Sequence, residues 1–383
     1  MRSIGNIASG SALYISSYAF LYYNLTEVDF SKASIIGAYA FSGCQSLISA
    51  TFTEAITIEA GAFSRCLNLT TISFPKAITI GAAFNYCESL ITVNFPKATT
   101  LYDTFAYCSN LTTAIFPEVV SIGTGTFTYC SNLTTISFPK VSYIGNYAFQ
   151  SCYKLTSAIF SEVTSIDGTA FQNCSSLMTI DFPKATSILG SAFQSCSNLV
   201  SAIFPEATFI GYNAFTYCSN LTTISFPKVM TIGFGAFQNC TQLTEVIIPE
   251  ISSINASTFQ NCTHLTNVSC PKVTSIAYSA FYNCVNLISI NFPEVITISS
   301  YAFYGCSNLT TISFSKIETI GSSAFNNCQK LESVYFNNIS SVPRLLNVSA
   351  FVNTPISRTS FIGRFGSIFV PSSLYESFKT ADH

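Results

Sequence analysis

The sequence predicts a repeat solenoid with a parallel β-sheet, built from about 15 rungs of roughly 22 residues each. The phrase LTTISFPK occurs at 69–76, 133–140 and 221–228, and LTTISFSK follows at 309–316. Fourteen of the fifteen cysteines recur at near-constant intervals, and every interval carries the same apolar pattern. A chain of 383 residues would otherwise suggest two or three globular domains, but a fixed internal period overrides that expectation.

The cysteines define the repeat. Eleven of their thirteen intervals are 22 residues long and two are 21. The unit is F-x-x-C-x-x-L-T-x-I-x-F-P-[KE]-[VA]-x-x-I-G-x-x-A, and the two short copies, which end at Phe84 and Phe105, lose one residue just before the final Ala or Thr. We expect that segment to be a surface turn, where a deletion is tolerated. The column comprises Cys44, Cys66, Cys87, Cys108, Cys130, Cys152, Cys174, Cys196, Cys218, Cys240, Cys262, Cys284, Cys306 and Cys328.

The L-x-x-I-x-F segment predicts a short strand with one buried face. In the copy at 133–138, Leu133, Ile136 and Phe138 are expected to point inward, and the last two have the period-two spacing of a strand. The Pro that usually follows cannot donate to a sheet, so it ends the strand.

The second half of the unit is expected to return the chain to the core. Val141 and Ile144 form an apolar pair ahead of Gly145, where the chain turns back. Phe149 then enters the core on a short helix or 3₁₀ turn, and Cys152 fills the space behind it. One such unit buries too little to fold alone, whereas stacked units share a continuous core.

The repeat resembles that of the BspA-like leucine-rich repeat proteins, which are surface proteins of anaerobic bacteria and some parasitic protists. The tag IGxxAFxxC stands here as IGAYAFSGC (36–44), IGNYAFQSC (144–152), IGYNAFTYC (210–218) and IGSSAFNNC (320–328). The resemblance implies a horseshoe or curved right-handed superhelix. It places the parallel sheet on the concave face, and turns with 3₁₀ or helical character on the convex side.

The ends of the array depart from the unit, as solenoid caps do. The last rung carries an insertion around Pro343, and it has Thr354 in place of Cys. Ser373 and Glu376 have capping-box spacing, with Leu374 and Phe378 on one helical face. The predicted organisation is a flank at 1–13, an array at 14–354 with a capping rung at 14–40 and an atypical rung at 337–354, and a strand-plus-helix cap at 355–383.

The charged residues follow a pattern at one position of the repeat. The sign of the charge at that position alternates from rung to rung except at one step, and neighbouring opposite charges attract. We expect this Lys/Glu row to set register and solubility rather than to catalyse a reaction. The row is Lys32, Glu54, Lys76, Lys97, Glu118, Lys140, Glu162, Lys184, Glu206, Lys228, Glu250, Lys272, Glu294 and Lys316.

The outward strand positions form the predicted binding face. Most are Ser, Thr, Asn or Asp, and an isoleucine recurs at every second rung in the middle of the array. Local breaks in this pattern occur where Glu, Asn or Tyr stands at an outward position. The candidate binding residues are Ile115, Ile159, Ile203, Ile247, Thr135, Ser137, Thr179, Asp181, Thr223, Ser225, Glu245, Asn267 and Tyr335.

The sequence offers no pattern typical of catalysis. Cysteines in one column have parallel side chains, which fit neither a disulfide nor a convergent metal site, so we expect buried thiols. Cys270 stands off the column at an inward strand position. His264 and the terminal His383 have no partners for a catalytic triad, and the glycines form no phosphate loop. We therefore expect no enzyme activity, metal or cofactor.

Several interactions are also disfavoured. A formal net charge of −2 gives no basic field for nucleic acid, and no apolar run has the length of a transmembrane segment. The N-terminal residues lack the apolar core of a secretory signal, so any signal or anchor is expected to lie outside this sequence. The N-L-T sequons, for example at Asn68 and Asn132, fit either turn hydrogen bonds or glycosylation.

These patterns predict a non-enzymatic binding module, a monomer that presents its concave face, lined by the strands, to a protein or glycan. The family resemblance implies adhesion, host interaction and an extracellular or cell-surface location. The alternative is a structural spacer that holds another domain of a surface or phage-tail protein away from its anchor. A regular outward pattern favours the spacer, whereas localised breaks favour a binding site. An ice-binding array is disfavoured because the isoleucines interrupt the Thr and Ser rows.

Overall fold

The computed structural model describes residues 7–9, 13–337, 339, 341–345, 348–356, 367–375 and 377. The chain divides into two compact units, residues 1–185 and 186–383, which are described separately. Both units are parallel β-solenoids, and together they account for about 15 rungs spaced by about 22 residues. The predicted solenoid class is therefore confirmed.

Each rung contributes one short strand from the L-x-x-I-x-F segment to what we call the front ladder. Adjacent front strands pair in parallel and in register, so that Ala114 lies beside Ile136. In unit 1 these strands are Ile7–Ser9, Glu27–Asp29, Ser49–Thr51, Thr71–Ser73, Thr92–Asn94, Thr113–Ile115, Thr135–Ser137, Ser157–Ile159 and Thr179–Asp181. In unit 2 they are Ser201–Ile203, Thr223–Ser225, Glu245–Ile247, Asn267–Ser269, Thr311–Phe314, Ser333–Phe336 and Ser367–Phe369, with single bridges at Ser289 and Asn291.

A second ladder, which we call the rear ladder, was not predicted from the sequence. It consists of two-residue strands, and in those before Arg344 the second residue is buried and the first faces outward, as in Tyr143–Ile144. In unit 1 these strands are Tyr14–Ile15, Ile35–Ile36, Thr57–Ile58, Thr79–Ile80, Thr100–Leu101, Ser121–Ile122, Tyr143–Ile144 and Ser165–Ile166. In unit 2 they are Ser187–Ile188, Phe209–Ile210, Thr231–Ile232, Ser253–Ile254, Ser275–Ile276, Thr297–Ile298, Thr319–Ile320 and Arg344–Leu345.

The segment around the tag phenylalanine is a run of hydrogen-bonded turns. Tyr147 and Ser151, on either side of Phe149, have left-handed backbone conformations with φ of 58° and 60°. The Cys152 N–H donates to the Phe149 carbonyl three residues back, as in a 3₁₀ turn, while the Phe149 N–H donates to Ala170 of the next rung at 2.7 Å. The left-handed residues prevent a continuous helix. Among the described residues, 3₁₀ helices are assigned at Val348–Phe351 and Ser372–Leu374.

Stacked phenylalanines form the core. Phe149 is fully buried and stacks on Phe127 and Phe171, with ring centroids 5.3 and 5.0 Å away. A second column from the strand ends packs against the first, with Phe138 tilted 65° to Phe149. Ile136, predicted to point inward, is only half-buried.

The fifteen cysteines are buried free thiols, as predicted. The Cys152 Sγ–H donates to the Phe127 carbonyl of the preceding rung at 3.2 Å, and the same bond recurs through both units. Each column thiol therefore finds a backbone acceptor inside the core, a contact that alanine at this position would not make.

The predicted C-terminal cap is described only in part. The strand Ser367–Phe369 pairs with Ser333–Phe336, and the 3₁₀ helix Ser372–Leu374 follows it. Glu376, Phe378 and His383, which the sequence analysis named, lie outside the described residues. The domain limits remain predictions.

Candidate binding surface

The four candidate isoleucines lie on the outer surface of the front ladder. Ile115, Ile159, Ile203 and Ile247 are 39%, 66%, 51% and 51% exposed. Each follows a fully buried Ala or Val, because successive side chains of a strand point to opposite faces. Their outward direction agrees with the sequence pattern, and their role in binding remains a prediction.

In unit 1 the isoleucines lie beside polar residues of the next rung. Ile115 is in register with Ser137, and Ile159 is in register with Asp181. Thr135 and Thr179 are exposed at the other outward position of their strands. Each isoleucine is therefore an isolated apolar group on a surface of hydroxyl and carboxylate groups.

Unit 2 repeats this arrangement and adds a polar contact. Ile203 lies beside Ser225, with Thr223 exposed on the same strand. The Asn267 amide donates to the Glu245 carboxylate at 2.8 Å, so these two candidates form one hydrogen-bonded pair across the ladder.

Tyr335 has a different environment from the other candidates. Its ring stacks on Phe369 with centroids 4.4 Å apart and planes 7° apart, and it is half-buried. This contact joins the front strand Ser333–Phe336 to the strand Ser367–Phe369, so Tyr335 helps to close the array.

The sequence analysis missed a second set of exposed apolar side chains. They occupy the position after the core leucine, immediately before a front strand, where threonine stands in most other rungs. The sequence does contain a signal for this set, because Ile, Met or Val follows the core leucine in place of the usual threonine. The set is Ile48, Ile91, Met178, Val200 and Ile288, which are 48–53% exposed.

The ion pairs of the Lys/Glu row all have the same direction along the chain. Each paired lysine reaches back to the glutamate of the preceding rung, with Nζ–Oε2 distances of 2.5–2.7 Å, and both side chains are about half exposed. Hydrogen bonding to the Lys140 ammonium lowers the pKa of Glu118. Such exposed pairs contribute little to stability, in keeping with a role in register. The pairs are Glu54–Lys76, Glu118–Lys140, Glu162–Lys184, Glu206–Lys228, Glu250–Lys272 and Glu294–Lys316.

Reactive groups are scarce on this surface. Burial raises the pKa of the column thiols, for example that of Cys108 to about 12. His264 contacts the Thr241 carbonyl through Nδ1 at 2.7 Å. No cluster of three His, Cys, Asp or Glu side chains suited to a metal ion occurs in the described parts of the chain. Within the same ranges, no helix has the length and apolar character needed to cross a bilayer.

Comparison with known proteins agrees with the fold and the repeat. The model of the BspA type leucine rich repeat region matches residues 13–118, 102–222 and 230–357. A leucine-rich repeat protein from Bacteroides ovatus is 24% identical over 90% of this chain and 93% of its own, with a TM-score of 0.66. A leucine rich cell surface protein from Faecalibacterium prausnitzii is 21% identical over 89% of each chain, with a TM-score of 0.42. A search of curated proteins found no significant match. Because the family model spans most of its length, the chain belongs to the BspA-type leucine-rich repeat family.

Proposed function

We propose that the protein is a binding module that engages a macromolecular partner through the outer surface of its front ladder. The observation that carries the proposal is the recurrence of exposed isoleucines among hydroxyl groups, as for Ile159 and Ile203. Binding energy concentrates in a few anchors surrounded by polar contacts, and this surface has that composition. Adhesion at a cell surface or after secretion is the setting that fits the family.

The rigidity of the face supports the same proposal. Its strands are held in register by neighbouring rungs over a core of stacked rings, so little conformational entropy is lost on binding. A spacer would need the same stiffness but no exposed apolar side chains. The spacer is therefore the second candidate, favoured only by the regularity of the repeat.

Double variants in each unit test the proposal. The wild-type protein is first screened against an array of matrix proteins, cell-surface proteins and glycans to identify a partner. Ile115→Ser with Ile159→Ser, or Ile203→Ser with Ile247→Ser, should then weaken binding at least about tenfold, which corresponds to about 1.4 kcal/mol. Folding should be almost unchanged, because exposed substitutions cost about 0.5 kcal/mol or less each.

A matched control uses two exposed isoleucines that precede rear strands. Ile56 and Ile78 are 47% and 44% exposed but lie away from the front strands. Ile56→Ser with Ile78→Ser should leave the affinity unchanged. If both front double variants bind as tightly as the wild type, or if no partner is found, the spacer function is favoured instead.

A further inference from the structure

A shallow groove lies beside the N-terminal ends of the front strands in each unit. In unit 1 the groove measures about 540 Å³, and its walls include Asn110, Asn132, Thr112 and Thr134. In unit 2 a groove of about 390 Å³ has Asn286, Asn308, Ile288 and Thr310 at the corresponding repeat positions. The same construction therefore occurs twice in the chain.

A lysine lines each groove at its last rung. Lys154 and Lys330 occupy the asparagine position of the repeat, one rung after Asn132 and Asn308. Every other lysine among the described residues belongs to the Lys/Glu row. Neither Lys154 nor Lys330 has a hydrogen-bond or ion-pair partner within the described parts of the chain, so each ammonium is available to a ligand.

In the groove walls, side chains of one rung donate hydrogen bonds to acceptors of the preceding rung. In unit 1 the Asn132 amide donates to the Ser109 carbonyl at 2.9 Å and to Asn110 Oδ1 at 3.3 Å. The Thr112 and Thr134 hydroxyls donate to carbonyls of the preceding rungs at 3.1 and 3.2 Å. The Asn132 and threonine donors are thus occupied inside the wall, while the Asn110 amide N–H groups, the Thr Oγ1 lone pairs and Asn132 Oδ1 remain for a ligand.

We propose that the groove in unit 1 binds an oligosaccharide of neutral sugar rings that carries one acidic sugar at its end. Sugar hydroxyls would donate to the threonine and asparagine oxygens, and the single carboxylate would pair with Lys154. Rungs are spaced by about 4.8 Å, close to the length of one pyranose ring, so successive rings meet equivalent acceptors. The exposed Ile91 side chain and the threonine methyl groups contact the apolar C–H edges of the rings.

Charge and donor count distinguish this ligand from its competitors. A peptide presents a carbonyl acceptor for every N–H, and most of those carbonyls would meet acceptor oxygens, because few side-chain donors of the wall are left, among them the Asn110 amide and Lys154. A polyuronate would place additional carboxylates against the same oxygens, with one ammonium to neutralise them. One lysine at the end of a neutral, acceptor-rich groove matches a ligand with one terminal negative charge.

Unit 2 provides a natural control. Its groove is the smaller of the two, about 390 against 540 Å³, and Ile288 stands where Thr112 provides an acceptor in unit 1. The groove of unit 1 is therefore the stronger site. The assignment does not rest on the proposed function of the isoleucine face, because the two surfaces use different residues.

The test is titration of the whole protein with the linear pentasaccharide sialyl-lacto-N-tetraose, followed by saturation-transfer NMR and calorimetry. We expect weak binding, with a Kd of about 0.1–5 mM for an open groove. Lys154→Ala should weaken it at least about fivefold, whereas Lys330→Ala should change it less than about twofold. Neutral lacto-N-tetraose should bind at least about fivefold more weakly than its sialylated form.

Four results would overturn the assignment: no binding of the pentasaccharide at about 10 mM, equal binding of the neutral tetrasaccharide, no effect of Lys154→Ala, or equally tight binding of the blocked peptide Gly-Ser-Gly-Ser-Glu. The double isoleucine variants should keep the sugar affinity of the wild type. Failure of the groove can therefore be separated from failure of the isoleucine face. Circular dichroism checks that Lys154→Ala, a change at an exposed position, leaves the fold intact.

Discussion

Replacing Phe149 by alanine tests the physical basis of the solenoid. The ring is fully buried and lies between Phe127 and Phe171 at 5.3 and 5.0 Å, with Phe138 and Phe160 packed at its edges. Truncating a buried Phe to Ala costs about 3–5 kcal/mol of the free energy of unfolding. Loss of two stacked contacts, each worth about 0.5–1.5 kcal/mol, places the expected cost in the upper half of that range.

The assay must allow for the repeat architecture. Each rung contacts only its neighbours, so a damaged rung opens locally before the rest of the array, and one midpoint does not describe the unfolding. Native-state hydrogen exchange measures the opening of individual rungs. Amide protection should fall most at the N–H groups of Phe127 and Phe149, which donate to the next rungs at 2.7 Å, and less in distant rungs.

The control is Ile159→Ala, which removes an exposed aliphatic side chain in the same unit. It should change stability by about 0.5 kcal/mol or less. If Phe149→Ala and Ile159→Ala shift the urea unfolding curve equally, the stacked core does not carry the stability of the array. Uniform loss of protection along the chain would refute nearest-neighbour coupling.

Two further predictions concern titratable groups. The cysteines of the native protein should not react with a thiol reagent at pH 9, because burial raises the pKa of Cys44 and Cys174 to about 12. In denaturant all fifteen thiols should react. Rapid labelling of the native protein would contradict the buried column. Lys140 lowers the folded-state pKa of Glu118, so its stabilisation is present above the ordinary glutamate pKa and is lost as pH falls through the folded value. The stability difference between wild type and Glu118→Gln should therefore vanish at low pH, and a difference that grows on acidification would show the opposite linkage.

Much of the fold could be predicted because repetition makes inward and outward positions visible. Leu133 and Phe138 are buried, Ile159 is exposed, and Lys140 pairs with Glu118, as spacing alone indicated. The rear ladder could not be predicted in the same way. A two-residue strand such as Tyr143–Ile144 is too short to show alternation, and its pairing depends on the neighbouring rungs.

The left-handed turns could not be predicted from the residue types at their positions. Glycine and asparagine are the usual residues at positive φ, but tyrosine occupies several of these positions, including Tyr86, Tyr107 and Tyr129. Their rings stack with centroids 4.6 and 5.0 Å apart, and Arg65 lies over the first at 5.4 Å. Stacking between rungs offsets part of the backbone cost, and a single rung cannot reveal it.

The two candidate surfaces also differ in how much of each could be predicted from the sequence. Exposure of Ile203 follows from strand alternation, so the sequence identified it. The acceptor character of the groove depends on which way the Asn132 amide and the Thr134 hydroxyl donate, and hydrogen-bond direction leaves no trace in a sequence. Tyr335 shows the converse, since its partner Phe369 comes from beyond the repeat.

The contacts between rungs identify a pair of rungs as the structural module. Five of the six Glu–Lys ion pairs join two rungs whose front strands are also hydrogen-bonded, as in Ser157–Ile159 with Thr179–Asp181 and Ser201–Ile203 with Thr223–Ser225. The rungs of the sixth, Glu294–Lys316, share the single bridge between Ser289 and Thr311. Within each unit, interruptions of the front ladder fall after a lysine rung, for example after Thr135–Ser137. The isoleucine of the central modules always stands on the glutamate rung. In the central modules, charge pairing, strand pairing and the exposed apolar group therefore share one 44-residue period, twice the repeat, whereas the front ladder continues past the lysine rungs of Glu27–Asp29 and Thr92–Asn94. Duplication of such a module adds one exposed isoleucine and one ion pair together, so the proposed binding face lengthens without any change in its chemistry.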